Sequence, residues 1–185
     1  LYQASRHRSN QLQALTEVST SITSSLQSEE LTASLLDQLR RILPYDTGTL
    51  WLREKGETTR GGQSRERMVI RAARGFSDSE ERIGLTVDIQ DSALMNEMIN
   101  TGRPIWVADV RKDARFRALT QEEISEESDE SSGRVAASVD YLSWLGVPLI
   151  ASGRVLGVIA LEKVEPNFYT NDDIQLATTF AGQAA

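Results

Sequence analysis

The sequence predicts an α/β domain of the α+β type, built on a central antiparallel sheet. Two apolar runs, at 143–150 and 155–164, flank a short segment that contains Gly153, and this pattern is typical of a β-hairpin. The first run has apolar side chains on both faces: Leu145, Val147 and Leu149 on one, and Trp144, Pro148 and Ile150 on the other. A strand that is apolar on both sides must be covered on both sides, so we expect the hairpin at the middle of a three-layer domain.

Helices are predicted before and after the strands. Apolar residues spaced by three and four over residues 1–26 predict an N-terminal helix with a narrow apolar stripe. Ser28 can cap a second helix, which ends before Pro44 and should cover one face of the sheet. The stretch 170–173 offers a hydroxyl and carboxylates that suit the start of a last helix.

Two further strands are predicted near the start of the domain, over 47–53 and 68–73. The residues between them, 54–67, are charged and rich in glycine, so they predict a mobile hairpin loop. Basic and acidic residues are interleaved in this loop, which argues against an anion-binding site.

The middle of the chain predicts a short helix over 92–101 that stops at Gly102. A strand over 105–108 follows and ends at Asp109. A carboxylate at a strand end commonly accepts backbone amides, so we expect Asp109 to order its own loop.

Residues 121–132 read QEEISEESDESS and hold six carboxylates with almost nothing to bury, so they cannot form a core. A calcium loop needs oxygen ligands at alternate positions, a mid-loop glycine and a late bidentate acid, and this run lacks that pattern. We therefore expect a poorly ordered insertion over 118–134 and no metal site.

Composition excludes several classes of function. The 185 residues suffice for one core with helical extensions, and the net charge of −7 argues against nucleic acid as a partner. There is no long apolar run and no signal-peptide pattern, so we expect a cytoplasmic fragment without a membrane segment. The chain starts without Met and stops within a helical pattern, as expected of a piece of a longer protein.

The sequence has no cysteine, which excludes disulfides, thiolate chemistry and Cys-ligated metal clusters. The only histidine, His7, lies in a polar stretch outside the predicted domain, where a solvated helix residue is favoured over a haem or metal ligand. Among the classes of function considered, a binding module or a dimerisation module remains possible for this sequence.

Three segments, in order, resemble a known family: ILPYDTGTLWL at 42–52, GRPIWVADVRKDARF at 102–116 and the hairpin at 143–164. They are similar to parts of a GAF domain, the small-molecule sensor module of bacterial signalling proteins and phosphodiesterases. The resemblance implies that the first, second and last helices lie on one face of the sheet. The other face would hold a ligand pocket covered by loops and short helices.

The resemblance also divides the chain. Residues 1–27 become an N-terminal signalling and dimerisation helix, and residues 28–185 become the GAF domain, with its last helix from about residue 170. The acidic insertion at 118–134 falls where the family has its pocket lid. Without cysteine, the chain lacks the thioether anchor of bilin-binding relatives and the catalytic thiols of methionine sulfoxide reductases with this fold. The resemblance thus implies a non-catalytic module with no covalent bilin and, at most, an unidentified small-molecule ligand.

Four side chains are candidates to line or border the implied pocket: Trp51, Trp106, Trp144 and Glu162. For each tryptophan, core packing is the competing interpretation. A one-residue change in strand register would also reverse the face on which each lies.

Glu162-Lys163, Phe168 and Asp172-Asp173 are similar to the Asn-Lys, Phe and Asp-Glu signature of cyclic-nucleotide-binding relatives. Glu162 stands at the Asn position and Asp173 at the Glu position. By this resemblance, Lys163 and Asp172 form an ion pair between the last strand and the last helix. Helix capping explains most of the signature without a nucleotide.

The resemblance implies a sensory module of a bacterial signalling protein, with a histidine kinase as the expected output domain in the same chain. A cyclic-nucleotide-binding regulatory domain and a pure dimerisation scaffold are the alternatives. Because a signal must leave through the terminal helices, we expect a homodimer through their apolar stripes. These stripes include Leu15, Val18, Ile22, Ala177, Ala181 and Ala184. A monomer that packs the same stripes within one chain is the competing interpretation.

Overall fold

The structure, a computed structural model, describes residues 29–58, 64–116 and 141–185. Its centre is a six-stranded sheet in the order β3-β2-β1-β6-β5-β4, with every neighbouring pair antiparallel. The strands are β1 (Thr47–Thr58), β2 (Ser64–Arg74), β3 (Thr86–Asp88), β4 (Ile105–Val107), β5 (Ser143–Ala151) and β6 (Arg154–Lys163). The predicted α+β class and its central antiparallel sheet are confirmed.

The helices that frame the sheet are α1 (Glu29–Ile42), α2 (Ser79–Arg82), α3 (Ala93–Thr101) and α4 (Asn171–Ala184). Two 3₁₀ turns, Ile89–Asp91 and Val110–Lys112, lie between them. The predicted bounds of α3 are confirmed by its caps. Ser92 accepts a hydrogen bond from the backbone N–H of Met95, and Gly102 ends the helix in the left-handed conformation with φ of 63°.

The predicted β5–β6 hairpin is confirmed. Its central turn residues, Ser152 and Gly153, have φ angles of 51° and 75°. Positive φ at both central positions is what a type I′ turn requires, and the twist of such a turn matches that of the strands. The two strands then pair along their whole length.

We call one face of the sheet the helical face, because α1 and α4 cover it. The predicted placement of the second and last helices on the same face is thus confirmed. Alternate strand residues meet the apolar stripe of each helix in this core. Its buried members include Leu36, Leu39, Leu50, Leu52, Leu145, Val147, Leu161, Ile174 and Ala177.

We call the opposite side the aromatic face. Its floor comes from the sheet, and its cover comes from α3, the 3₁₀ turns and Phe116. Its buried members include Trp51, Met68, Ile70, Leu94, Met95, Met98, Phe116, Trp144, Val158 and Ala160. Both faces of β5 are therefore covered, as its apolar pattern predicts.

The loop predicted over 54–67 is wrong for 54–58 and 64–67, which belong to β1 and β2; residues 59–63 lie outside the described residues. Arg53 donates to Glu66, and Arg71 donates to Glu54, across the two strands. Opposite charges on neighbouring strands favour pairing. The interleaved charges, which resemble those of a solvated loop, therefore stabilise a long hairpin.

The sequence does not predict β3. This strand has three residues and pairs with β2 at the edge of the sheet, where Val87 lies opposite Met68. A strand this short shows no readable alternation, so its pairing partner alone defines it.

Three predictions concern residues outside the described ranges: the helix over 1–26, the helix cap at Ser28 and the acidic insertion over 118–134. Within the described ranges, no helix has the length and apolar character that crossing a membrane requires.

Candidate functional site

Three rows of side chains form the floor of the aromatic face. Residues that are direct cross-strand partners in β1, β6 and β5 point to the same side of the sheet. Read in that strand order, the rows are Thr47, Glu162 and Trp144; then Thr49, Ala160 and Gly146; then Trp51, Val158 and Pro148. The middle row has small side chains, so it forms a depression between two bulkier rows.

The indole ring of Trp144 fills this depression. A Cβ atom on Gly146 would lie 2.3 Å from Trp144 Cη2 and 2.8 Å from Met98 Sδ, so glycine is needed for this packing. Phe116 meets Trp144 edge to face, with 5.7 Å between ring centroids, and Tyr141 meets Phe116 at 6.3 Å. An aromatic cluster therefore stands beside the first row of the floor.

Glu162 is a carboxylate enclosed by this cluster, with only 7% of its surface exposed. Its Oε2 accepts a hydrogen bond from the hydroxyl of Thr47, whereas Oε1 has no hydrogen bond to any residue that the structure describes. Burial raises the pKa of Glu162 to about 7, and the opposing effects of the Thr47 hydroxyl and the Arg82 charge are smaller. Glu162 therefore titrates near neutral pH.

Arg82 is close enough to Glu162 to lower its pKa, but other groups hold its side chain. Arg82 Nε lies 2.8 Å from Asp78 Oδ1, and the guanidinium carbon lies 4.2 Å from the ring centroid of Phe76. Tyr141 is also near Glu162: burial, and then the negative charge of Glu162, raise the pKa of the Tyr141 hydroxyl. The charge of an ionised Glu162 is thus only partly compensated.

Trp51, Trp144 and Glu162, three of the four predicted pocket residues, lie together on the aromatic face. Glu162 and Trp144 are adjacent, and Trp51 is two rows away. The indole N–H of Trp51 donates to Thr49 Oγ1 at 2.8 Å, so its polar atom is already satisfied.

The fourth candidate, Trp106, does not border the aromatic face. Its neighbours Ile105 and Val107 are buried there, so alternation along β4 turns Trp106 to the other side of the sheet. Half of its surface, 50%, is exposed. The strand register that the sequence leaves open decides this placement.

The predicted ion pair between Lys163 and Asp172 is not formed. Lys163 Nζ instead lies 2.9 Å from Asp46 Oδ1. Asp46 immediately precedes β1, which is the hydrogen-bonded neighbour of β6, so pairing within the sheet brings these two residues together. The correction follows from sheet order, which the local sequence does not reveal.

Two acidic residues have the local roles that the sequence predicts. Thr170 and Asp173 form a reciprocal capping box at the start of α4. This structural role explains an acidic residue at position 173 without a bound nucleotide. Asp109 Oδ1 accepts the backbone N–H of Arg111 at 3.2 Å. The side chain of Arg111 also bonds Asp109 and holds the pKa of that carboxyl well below its usual range.

Sequence reasoning misses four residues of this site: Thr47, Arg82, Phe116 and Tyr141. Strand alternation from Thr49 would have placed Thr47 on the aromatic face, once the register with Glu162 was known. No sequence signal identifies the others, because they reach the site from separate segments through tertiary packing.

Other parts of the described structure offer weaker sites. The described residues contain no group of three or more potential metal-ligating side chains. A cleft of about 590 Å³ is lined by Arg53, Glu54, Lys55 and Arg71. Both of its arginines are bonded to carboxylates, so much of its charge is compensated. Glu162 and the aromatic cluster are therefore the candidate site.

The structure is thus an α+β domain with a buried carboxylate on one face of its antiparallel sheet. Comparison with known proteins agrees with this architecture: the family model described as GAF domain matches residues 25–185. The chain therefore belongs to the GAF domain family. A search of curated proteins found no match.

Solved structures with this fold come from proteins of several kinds. The GAF domain of a phosphoenolpyruvate-protein phosphotransferase from Acinetobacter is 18% identical, with a TM-score of 0.59 over 94% of this chain and 89% of that chain. A domain described as part of a two-component sensor histidine kinase from Sinorhizobium meliloti 1021 is 20% identical, with a TM-score of 0.52 over 84% and 87%. A type II free methionine-R-sulfoxide reductase from Thermoplasma acidophilum is 13% identical, with a TM-score of 0.61 over 89% and 92%. At these identities the likeness establishes the shared fold alone.

Proposed function

We propose that this GAF domain is the sensory module of a bacterial signalling protein, in which a small molecule on the aromatic face regulates an output domain in the same chain. The observation that carries the proposal is the buried Glu162, which has one oxygen without a hydrogen bond to any described residue. Burying a carboxylate without full compensation is costly. Groups of this kind concentrate at functional sites, where a ligand supplies the missing partner.

The packing of β5 supports a route for the signal. Trp144 lies on the aromatic face of β5, and Leu145 and Val147 of the same strand lie in the core beneath α4. A ligand that packs against Trp144 would therefore act on a strand that α4 contacts directly. We propose that α4 and the predicted helix over 1–26 carry this change out of the domain.

We propose that these terminal helices also form a homodimer. The stripe predicted on α4 does not supply this interface, because Ala177 and Ala181 are buried against the sheet within one chain and Ala184 packs against the same core. Other apolar side chains on α1 and α4 are exposed, namely Leu31, Ile42 and Leu176, and they support an interface on this side of the molecule. Sedimentation equilibrium over a range of protein concentrations should show a monomer–dimer equilibrium. Leu176→Glu should shift it towards monomer, whereas Ile83→Glu, at an exposed apolar site directly after α2, should not. A monomer at every concentration would contradict the interface.

We propose a histidine kinase as the output domain and the cytoplasm as the location. The similar domain described as part of a sensor histidine kinase supports this output. We propose no catalysis by this domain, because it has no cysteine for thiol chemistry. Two observations weigh against the cyclic-nucleotide alternative: Asp173 caps α4, and Lys163 is paired with Asp46.

Native mass spectrometry of the purified protein tests the sensory role. We expect a bound small molecule that is lost on collisional activation and that raises the melting temperature when it is added back. Trp144→Ala should weaken its binding, whereas Trp106→Ala, on the opposite sheet face, should not. If no small molecule co-purifies and no fraction of a bacterial metabolite extract raises the melting temperature, the dimerisation scaffold becomes the better description.

A further inference from the structure

We propose that the ligand of the aromatic face is a small organic cation, whose ammonium, amidinium or guanidinium group donates to Oε1 of Glu162 while its apolar body packs on Trp144 and Phe116. This inference deepens the proposed function and rests on it, because it assumes that the aromatic face takes a small molecule. It adds the chemical class of that molecule and the residue that recognises it.

The hydrogen-bonding capacity of Glu162 selects the class. An ionised carboxylate accepts hydrogen bonds and donates none, and Thr47 already occupies Oε2. The other acceptor, Oε1, has no hydrogen bond to a described residue, and it belongs to a side chain that is more than nine-tenths buried. A group that brings both an N–H donor and a positive charge compensates such an oxygen best. An anionic ligand would be repelled.

Among the described residues, no cation already pairs with Glu162. Arg82 forms its ion pair with Asp78 and stacks on Phe76. Lys163 follows Glu162 in the chain, but alternation along β6 points it to the other side of the sheet, where it pairs with Asp46. Within the described structure, the positive partner of Glu162 is thus missing.

The aromatic cluster suits the rest of such a ligand. Trp144 is the direct cross-strand partner of Glu162, so its indole ring and the carboxylate stand side by side. The face of an indole ring attracts cations, and Phe116 adds a second ring. The small residues Gly146 and Ala160 form the floor beneath.

Binding of a cation should be linked to protonation of Glu162. The polar and charged groups that interact with Glu162 come from several elements: Thr47 at the start of β1, Arg82 on α2, Tyr141, and Tyr169 in the core of the helical face. Burial raises the pKa of both tyrosine hydroxyls, so they stay neutral. Glu162 is therefore the group that changes charge near neutral pH, and the affinity for a cation should rise with pH.

Calorimetric titration with matched benzene derivatives tests whether the ligand is an organic cation. The cations are benzylammonium, benzamidinium and phenylguanidinium, and the controls of similar size are neutral benzamide and anionic benzoate. At pH 8 we expect at least one cation to bind ten-fold or more tightly than benzamide, and benzoate to show no binding. At pH 5 the affinity for that cation should fall at least ten-fold, because Glu162 is then protonated. If no cation binds more tightly than benzamide, the inference is overturned.

Glu162→Gln removes the charge and keeps the shape. We expect it to weaken cation binding at least ten-fold and to abolish the pH dependence. Glu97→Gln makes the same chemical change at an exposed position on α3 and should leave cation binding unchanged. Melting curves show that each variant is folded. Unchanged cation affinity in Glu162→Gln would also overturn the inference.

The mass-spectrometric experiment separates this inference from the proposed function. A co-purifying molecule that is neutral or anionic would overturn the cation class and leave the sensory role in place. If no small molecule binds at all, both proposals fail.

Discussion

Lys163 and Asp46 form an ion pair, with 2.9 Å between Nζ and Oδ1, that ties the end of β6 to the residue before β1. The second carboxylate oxygen of Asp46 accepts the backbone N–H of Val164 at 2.9 Å. Burial alone would raise the pKa of Asp46, but the N–H of Val164 and the ammonium of Lys163 outweigh it and hold that pKa below its ordinary value. Asp46 thus joins two neighbouring strands beside the candidate site.

A double-mutant cycle can measure this pairing. Lys163→Met combined with Asp46→Asn should give a coupling energy of about 0.5–1 kcal/mol, kept small because Asp46 is partly exposed to solvent. The same cycle with Asp172→Asn should give a coupling energy of about zero, because Lys163 does not pair with Asp172. Urea denaturation supplies the free energies of unfolding. Equal coupling in the two cycles would contradict the structure.

The stability of the protein should depend on the titration of Glu162. Its pKa is raised from 4.5 to about 7 in the folded state, so between these values the folded protein binds more protons than the unfolded chain. The free energy of unfolding therefore falls as pH rises through this window, with a total loss on the order of 3 kcal/mol by pH 8. Below pH 4.5, Glu162 is protonated in both the folded and the unfolded state, so its ionisation no longer lowers the free energy of unfolding.

Glu162→Gln checks this dependence, because glutamine stays neutral. In urea denaturation at pH 5 and pH 8, the variant should lose less stability with rising pH than the parent protein, and at pH 8 it should be the more stable of the two. An identical loss in both proteins would show that another group titrates in this window.

Gly146→Ala should destabilise the protein by about 1–3 kcal/mol, because the added methyl group would overlap Trp144 and Met98. Tryptophan emission should shift as the indole ring is displaced. Gly182→Ala is the matched control on α4, where an added Cβ meets nothing within 4 Å. It should stabilise by up to about 1 kcal/mol, since alanine favours helix. A Gly146→Ala protein with unchanged stability and emission would refute this packing.

Thr170→Ala should cost about 1 kcal/mol of stability, because it removes the side chain that caps α4. Thr179→Ala is the control, because Thr179 lies on an exposed part of the same helix and its hydroxyl bonds only the carbonyl of Gln175. Its effect should stay within about 0.5 kcal/mol. Thermal unfolding followed by circular dichroism compares the two variants, and equal losses would argue against the cap.

The sequence by itself determined the elements that obey local rules. The turn at Gly153 defines the β5–β6 hairpin, because a chain can enter a tight primed turn only with residues that accept positive φ. Ser92 and Gly102 mark the ends of α3, and Thr170 marks the start of α4, because caps satisfy backbone groups within one helical turn. Glu162 and Trp144 could be named as site candidates from the resemblance to GAF domains, but the sequence left open which face of the sheet each lies on.

Only the tertiary structure decided which residues meet across the sheet. The charged ends of β1 and β2 have the composition of a loop, and only strand pairing brings Arg53 and Glu66 together. Trp106 lies on the opposite side from Trp144 because strand register, and not composition, assigns each residue to a face. Asp46 lies far from Lys163 in sequence and reaches it through sheet order. Local sequence defines short-range geometry, whereas these contacts depend on long-range pairing that many segments determine together.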